Sequence, residues 1–242
     1  MFNYLLSIQY DGTNYHGWQS QISGRTIQQE IEKAIFTIIK TNVKIIGAGR
    51  TDSGVHALDQ KANFRVLEQI DLYKFKFSLN SILPKDISIK TIVEVPENFH
   101  ARFDAKSRTY IYLISRAKSP FYNRYSFYYP KEINIFTLNE LSEKLIGEKD
   151  FSAFCKKSVE YENKICKVTK VRWFQKNELI IFRITANRFL RGMVRAIVGT
   201  LLFCEKNKLS NDDFEKILLQ KDRQFAGENV PANGLFLYKV EY

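Results

Sequence analysis

The chain has 242 residues, 45% hydrophobic and 14% aromatic, which excludes a disordered segment and suits one large domain or two of about 120 residues. Lys and Arg number 37 against 26 Asp and Glu, and the resulting +11 favours a polyanionic partner through phosphate neutralisation. Three cysteines without a C-x-x-C pair and three histidines without ligand spacing argue against a disulfide framework and a metal site. No secretory pattern and no spanning apolar run is visible, so a cytoplasmic chain with no membrane partner is expected.

Tyr4, Leu6, Ile8 and Tyr10 alternate along a first strand that ends at Asp11-Gly12. Thr26 and Gln29 have the spacing of a capping box, and Ile27, Ile31, Ala34, Ile35 and Ile38 mark one face of a helix running to Lys40. Val43 to Ile46 reads as a short strand before a glycine-rich loop. Ala62, Phe64 and Val66 then alternate with Lys61, Asn63 and Arg65, which predicts a strand with a basic open face. Asp71 caps a helix through Leu72, Phe75 and Leu79, and Ile87, Ile89, Val93 and Val95 mark a further strand. The order is β-α-β-β-α-β.

The second half repeats that order. Tyr110, Tyr112 and Ile114 alternate in a strand; Thr137 and Glu140 form a second capping-box pattern ahead of Leu138, Leu141 and Leu145, with Gly147 as the stop. Lys167 to Gln175 and Leu179 to Ala186 read as a hairpin turning near Lys176-Asn177. An apolar helix follows from Arg188 to Cys204, a short helix starts at Ser210, and Leu235 to Tyr242 closes the chain as a strand. Ser119 to Pro130 and Lys156 to Asn163 read as insertions. The reading is an α+β fold of two ferredoxin-like halves, residues 1–105 and 106–242, forming antiparallel sheets with helices on one face. Symmetry is one of element order only. An RNA-binding cleft between the halves is the expectation that follows, by analogy with other small α/β modules that hold single strands.

Three features carry candidate chemistry. Gly47 to Ala57 reads Gly-Ala-Gly-Arg-Thr-Asp-Ser-Gly-Val-His-Ala, a loop whose glycines permit tight bending around Arg50 and Asp52. Asp52 is open to three readings: a turn or cap residue, part of a phosphate cradle, or a catalytic carboxylate. The Lys-Ser/Thr ending of a P-loop is missing, which weighs against a nucleotide hydrolase. The second feature is the row Arg188, Arg191 and Arg195, which helical spacing puts on one face. A row like this is ordinarily a solvated stripe. Arg195, however, lies among Val194, Ala196, Ile197 and Val198, where a guanidinium needs an anionic partner, and Asp52 is the natural candidate. Tyr110 is either a core tyrosine or a ring for stacking on a base, with Arg102, Lys106 and Arg108 near it in sequence.

The segment Gly49-Arg50-Thr51-Asp52-Ser53-Gly54-Val55-His56-Ala57 resembles the active-site motif of the tRNA pseudouridine synthase A family. The resemblance extends through Tyr10-Asp11-Gly12, His16-Gly17-Trp18-Gln19, Phe99-His100-Ala101-Arg102-Phe103, Tyr110-Ile111-Tyr112, Met193 to Gly199 and Gly234-Leu235-Phe236-Leu237, in the family's order and over nearly the whole chain. It implies that Asp52 is the catalytic aspartate and that Arg50 holds the target nucleotide out of its stem. It further implies that Tyr110 contacts the uracil, that Arg195 pairs with Asp52, and that Leu235 packs beside the base. The implied substrate is tRNA, isomerised from uridine to pseudouridine at positions 38, 39 and 40, with no cofactor and as a homodimer. Ser53 stands where alanine is usual and Gly192 where a larger residue is common; neither departure touches the implied chemistry. A non-catalytic RNA-binding module is the rival reading that charge and fold alone would equally support.

Overall fold

The computed structural model describes residues 1–156 and 163–242. In chain order its elements are β1 (Phe2–Tyr10), α1 (Ile27–Ile39), β2 (Ile46–Gly47), β3 (His56–Val66), α2 (Leu72–Ile82) and β4 (Ile87–Val95). Then come β5 (Ser107–Ser115), β6 (Phe127–Tyr128), α3 (Ile135–Glu143), β7 (Gly147–Asp150), β8 (Ile165–Lys176) and β9 (Leu179–Ala186). The last are α4 (Met193–Lys206), α5 (Asn211–Leu219) and β10 (Leu235–Glu241). The chain divides into two compact units, residues 1–106 with 236–242, and residues 107–235. The closing strand, which element order assigns to the second repeat, therefore belongs with the first unit.

In the first unit β1 lies between β3 and β4, antiparallel to both. The other edge of β3 carries the two-residue β2, antiparallel, and the start of β10, parallel. Tyr4, Leu6 and Ile8 of β1 point to the same face as Ala62 and Phe64 of β3, and α2 brings Phe75 to within 5.9 Å of the Phe64 ring. Burying each of these large side chains contributes about 2–3 kcal/mol, which is why the alternation was readable. Asp71 caps α2 by accepting from the N–H groups of Tyr73 and Lys74. Thr26 caps α1, but only half of the capping box forms, because Gln29 Oε1 accepts from the Thr26 hydroxyl rather than from its N–H.

Three details depart from the strand pattern. The short strand is Ile46–Gly47, not Val43 to Ile46, since only these residues reach β3. The face of β3 opposite the helices is not uniformly basic and open. Asn63 is fully buried there, donating to Asn3 Oδ1 and accepting from the Ala101 N–H. Finally, the β1–β4 register slips by one residue at Lys90, so that Ile92 is buried and Val93 is 47% exposed. One extra residue inverts the facing of everything beyond it.

The second unit pairs β5, β9, β8 and β7 in that order, all antiparallel, with β6 added to β5 in parallel. Tyr112, Phe182 and Trp173 stand in register across three strands, and the Trp173 indole donates to Ser142 of α3 at 3.0 Å. The hairpin turns through Asn177 and Glu178, with Asn177 at φ 53°. β6 comes from the Ser119 to Pro130 segment. The other expected insertion, Lys156 to Asn163, falls mostly on residues 157–162, outside those described. Helix limits shift in α3 and α4. Asn134, not Thr137, caps α3, and Gly147 opens β7 rather than stopping the helix, which ends at Glu143. Arg188 to Arg191 precede α4, whose N-cap is Gly192 at φ 75°.

Candidate active site

The Asp52 loop leaves β2 and enters β3, so it runs from strand to strand. A phosphate cradle of the P-loop kind would end on a helix N-terminus, and none follows here. Asp52 and Val55 close a β-turn through a 3.2 Å backbone bond, with Gly54 at φ 76° supplying the positive φ that its third residue needs. The start of the loop is tied to β3: Ala48 N–H donates to the Lys61 carbonyl at 2.7 Å, and Gln60 Nε2 to the Gly49 carbonyl at 2.9 Å. Thr51, buried beside Asp52, shares a 2.7 Å hydroxyl–hydroxyl bond with Tyr10, while its carbonyl accepts from the Trp18 N–H at 3.1 Å. Asp52 itself is half-buried and Arg50 is exposed.

The residues after β1 pack hard against this loop. A Cβ on Gly12 would stand 2.0 Å from the Val55 carbonyl oxygen, so only glycine allows the approach. His56, at the loop's exit, is buried and stacks on Phe236 at 4.6 Å. Its Nδ1 lies 3.1 Å from both the Gly12 N–H and an Asp11 carboxylate oxygen. A deprotonated Nδ1 takes the amide proton, whereas a protonated one takes the carboxylate.

In the second unit Tyr110 lies on β5, Arg195 on α4, and Leu235 opens β10. Tyr110 is 8% exposed and meets Phe189 edge to face at 5.1 Å. Arg195 lies in the first turn of α4, not deep within a long helix, and its Nε donates to the Val230 carbonyl at 2.7 Å. The neighbouring Pro231 carbonyl accepts from the Tyr112 hydroxyl at 2.8 Å. Burial pushes the Tyr112 phenol well above the usual tyrosine range, and the Arg195 charge pulls it the other way. Leu235, 6% exposed, continues this segment into β10. The arginine row is not a helix face, because Arg188 and Arg191 lie ahead of the helix. The signal that could have shown this was Gly192, a helix-breaking residue between Arg191 and Met193. A cation in a helix's first turn opposes the macrodipole by about 0.3–1 kcal/mol, so Arg195 is placed there against local preference.

Other chemistry has little support. Burial pushes the Cys166 and Cys204 thiols up to about 11 and raises that of Cys155, so none is a ready nucleophile at neutral pH. Among the described residues no group of three or more His, Cys, Asp or Glu side chains is placed to hold a metal, and no helix is long and apolar enough to cross a membrane.

Comparison with known proteins agrees with the motif. The family model described as tRNA pseudouridine synthase matches residues 6–104 and 141–242. A tRNA pseudouridine synthase A from Bacteroides fragilis is 44% identical over 241 residues, covering 99% of this chain and 96% of that protein. One from Caldicellulosiruptor bescii is 45% identical over 244 residues, covering 100% of both, and one from Bacillus licheniformis is 39% identical over 240 residues, covering 98% and 97%. A solved Cbf5-Nop10-Gar1 complex aligns with 78% of this chain and 52% of that one at 12% identity, with a TM-score of only 0.34. The chain belongs to the tRNA pseudouridine synthase family, and is thereby an isomerase.

Proposed function

We propose that this enzyme converts uridine to pseudouridine at positions 38, 39 and 40 of the tRNA anticodon stem-loop, with Asp52 as its catalytic carboxylate. The observation that carries the reading is the Asp52 loop: a half-buried acid at the head of a turn, tied into β1 and β3 on both sides. Relatives named tRNA pseudouridine synthase A across essentially the whole chain support the substrate class, and the +11 charge suits it.

The reaction breaks the bond from ribose to N1, turns the uracil over, and joins it through C5, which loses its proton while N1 gains one. The base must first leave the helical stack, at a cost of a few kcal/mol. Arg50, exposed beside Asp52, holds the nucleotide out of its stem. Asp52 acts at the sugar, either by attacking the ribose carbon or by taking a proton from the ribose. The resemblance makes Arg195 the counter-charge that pairs with Asp52. The Tyr110 ring contacts the uracil and Leu235 packs beside it, retaining the detached base until the new bond forms. No cofactor is needed, because uracil is both leaving group and incoming nucleophile. The resemblance alone adds that the enzyme works as a cytoplasmic homodimer.

Asp52→Asn provides the test. Conversion of tRNA uridine, mapped by mass spectrometry, should fall at least about a thousandfold while tRNA affinity stays within about threefold. Wild-type protein that binds tRNA and forms no pseudouridine would instead favour a non-catalytic binding module.

A further inference from the structure

The residue on the C-terminal side of Asp52 is gripped by a neighbour that the motif does not name. Ser53 Oγ donates to the Tyr15 carbonyl at 3.1 Å, and the Gly54 N–H donates to the same oxygen at 3.3 Å. Tyr15 is itself immobilised. Its ring is 1% exposed, its N–H donates to the Gly12 carbonyl at 3.0 Å, and its hydroxyl donates to Asp86 Oδ1 at 2.5 Å. The Asp86 carbonyl in turn accepts the Asp11 N–H at 2.9 Å, which closes a ring from the end of β1 to the start of β4. Arg25 covers the Tyr15 ring at 4.8 Å and is paired with Glu30 at 3.0 Å.

A buried phenol bonded to a carboxylate is a strong, directional anchor, stronger than a neutral pair. Here the anchored group presents only its backbone carbonyl to the loop, and that carbonyl takes two donors, both within two residues of Asp52. Reactive geometry is sensitive to displacements of about 1 Å, which can cost about a hundredfold in rate. Support from a rigid second layer is how a loop residue acquires such precision. Alanine in place of Ser53 could make only one of the two ties.

We propose that Tyr15, anchored by Asp86, is a positioning residue for Asp52, and that Ser53 gives this chain a second tie which alanine lacks. The inference rests on the reading of Asp52 as the catalytic carboxylate. Both act on Asp52 indirectly, through the Ser53 hydroxyl and the Gly54 N–H.

The test measures kcat and KM separately, by tritium release from C5-labelled uridine in tRNA, at a temperature below each variant's unfolding transition. Tyr15→Phe should lower kcat about tenfold and leave KM within about twofold. Ser53→Ala, an exposed change that keeps the fold, should lower kcat about two- to threefold, and Ser53→Thr should restore it by returning the hydroxyl. Asp86→Asn should fall between wild type and Tyr15→Phe, since the amide oxygen still accepts. Wild-type kcat in both folded Tyr15→Phe and Ser53→Ala overturns the proposal, as does a loss confined to KM. Should Tyr15→Phe not fold, the Ser53 pair decides alone. Full activity in Asp52→Asn would sink the underlying reading instead, which separates the two failures.

Discussion

Asp52 stands on a loop and Arg195 on a helix, and the two units make their residue rigid in different ways. In the first unit the chain around Asp52 has no regular partner strand or helix of its own. It is held by individual bonds from Tyr10, Tyr15, Trp18 and Gln60, and by the bare backbone of Gly12. In the second unit Arg195 and Tyr110 belong to regular elements whose opposite faces lie in the core, and one bond to Val230 aims the guanidinium. The contrast teaches that loop geometry here is built from many replaceable hydrogen bonds, whereas the helix-and-strand side is built from packing. Damage should therefore reach activity by way of the loop and stability by way of the core.

Substitutions can break or sharpen that contrast. The largest effect belongs to Gly12→Ala, because the added methyl collides with backbone that cannot rotate away. Unfolding by denaturant should show a loss of about 1–3 kcal/mol, and kcat should drop on the order of a hundredfold. Unchanged kcat in a folded Gly12→Ala protein would mean that the loop is not held from this side. Next comes Arg195→Lys, which retains the charge but loses the Nε bond to Val230. Turnover should decrease about tenfold with little change in the thermal transition, since a lysine ammonium lacks the planar fork. The smallest effect is expected of Tyr112→Phe. Removing its hydroxyl strands the Pro231 carbonyl and should cost about 1–2 kcal/mol in a denaturant melt, with turnover within about twofold of wild type. An equal loss of turnover in Tyr112→Phe and Arg195→Lys would erase the distinction between packing and aiming.

Most of the fold was legible because the apolar period matched what is buried. Ile27, Ile31, Ala34 and Ile35 of α1, the even residues of β1, and the Asp71 and Ser210 caps all appear where local chemistry puts them. The misses share one cause: a residue whose role depends on something distant in sequence. Val93 looked like core until a slip at Lys90 turned it outward. Asn63 looked like open surface until the 96–101 segment folded over it. Arg188 and Arg191 looked helical because spacing cannot see that Gly192 adopts φ 75° and starts the helix after them.

The candidate site divides along the same line. Asp52, Arg50 and their glycines were visible as a motif, since a turn carrying an acid requires those residue types at those offsets. Tyr15 and Asp86, 71 positions apart, carried no local sign of meeting at 2.5 Å. The sequence by itself determined which residues could turn, alternate, cap and carry charge, because those are properties of a few neighbouring side chains. Only the tertiary structure decided which backbone carbonyl faces Ser53, which helix starts where, and which strand joins which sheet. Each of these depends on hydrogen bonds closed between remote segments, and no short window of sequence contains both partners.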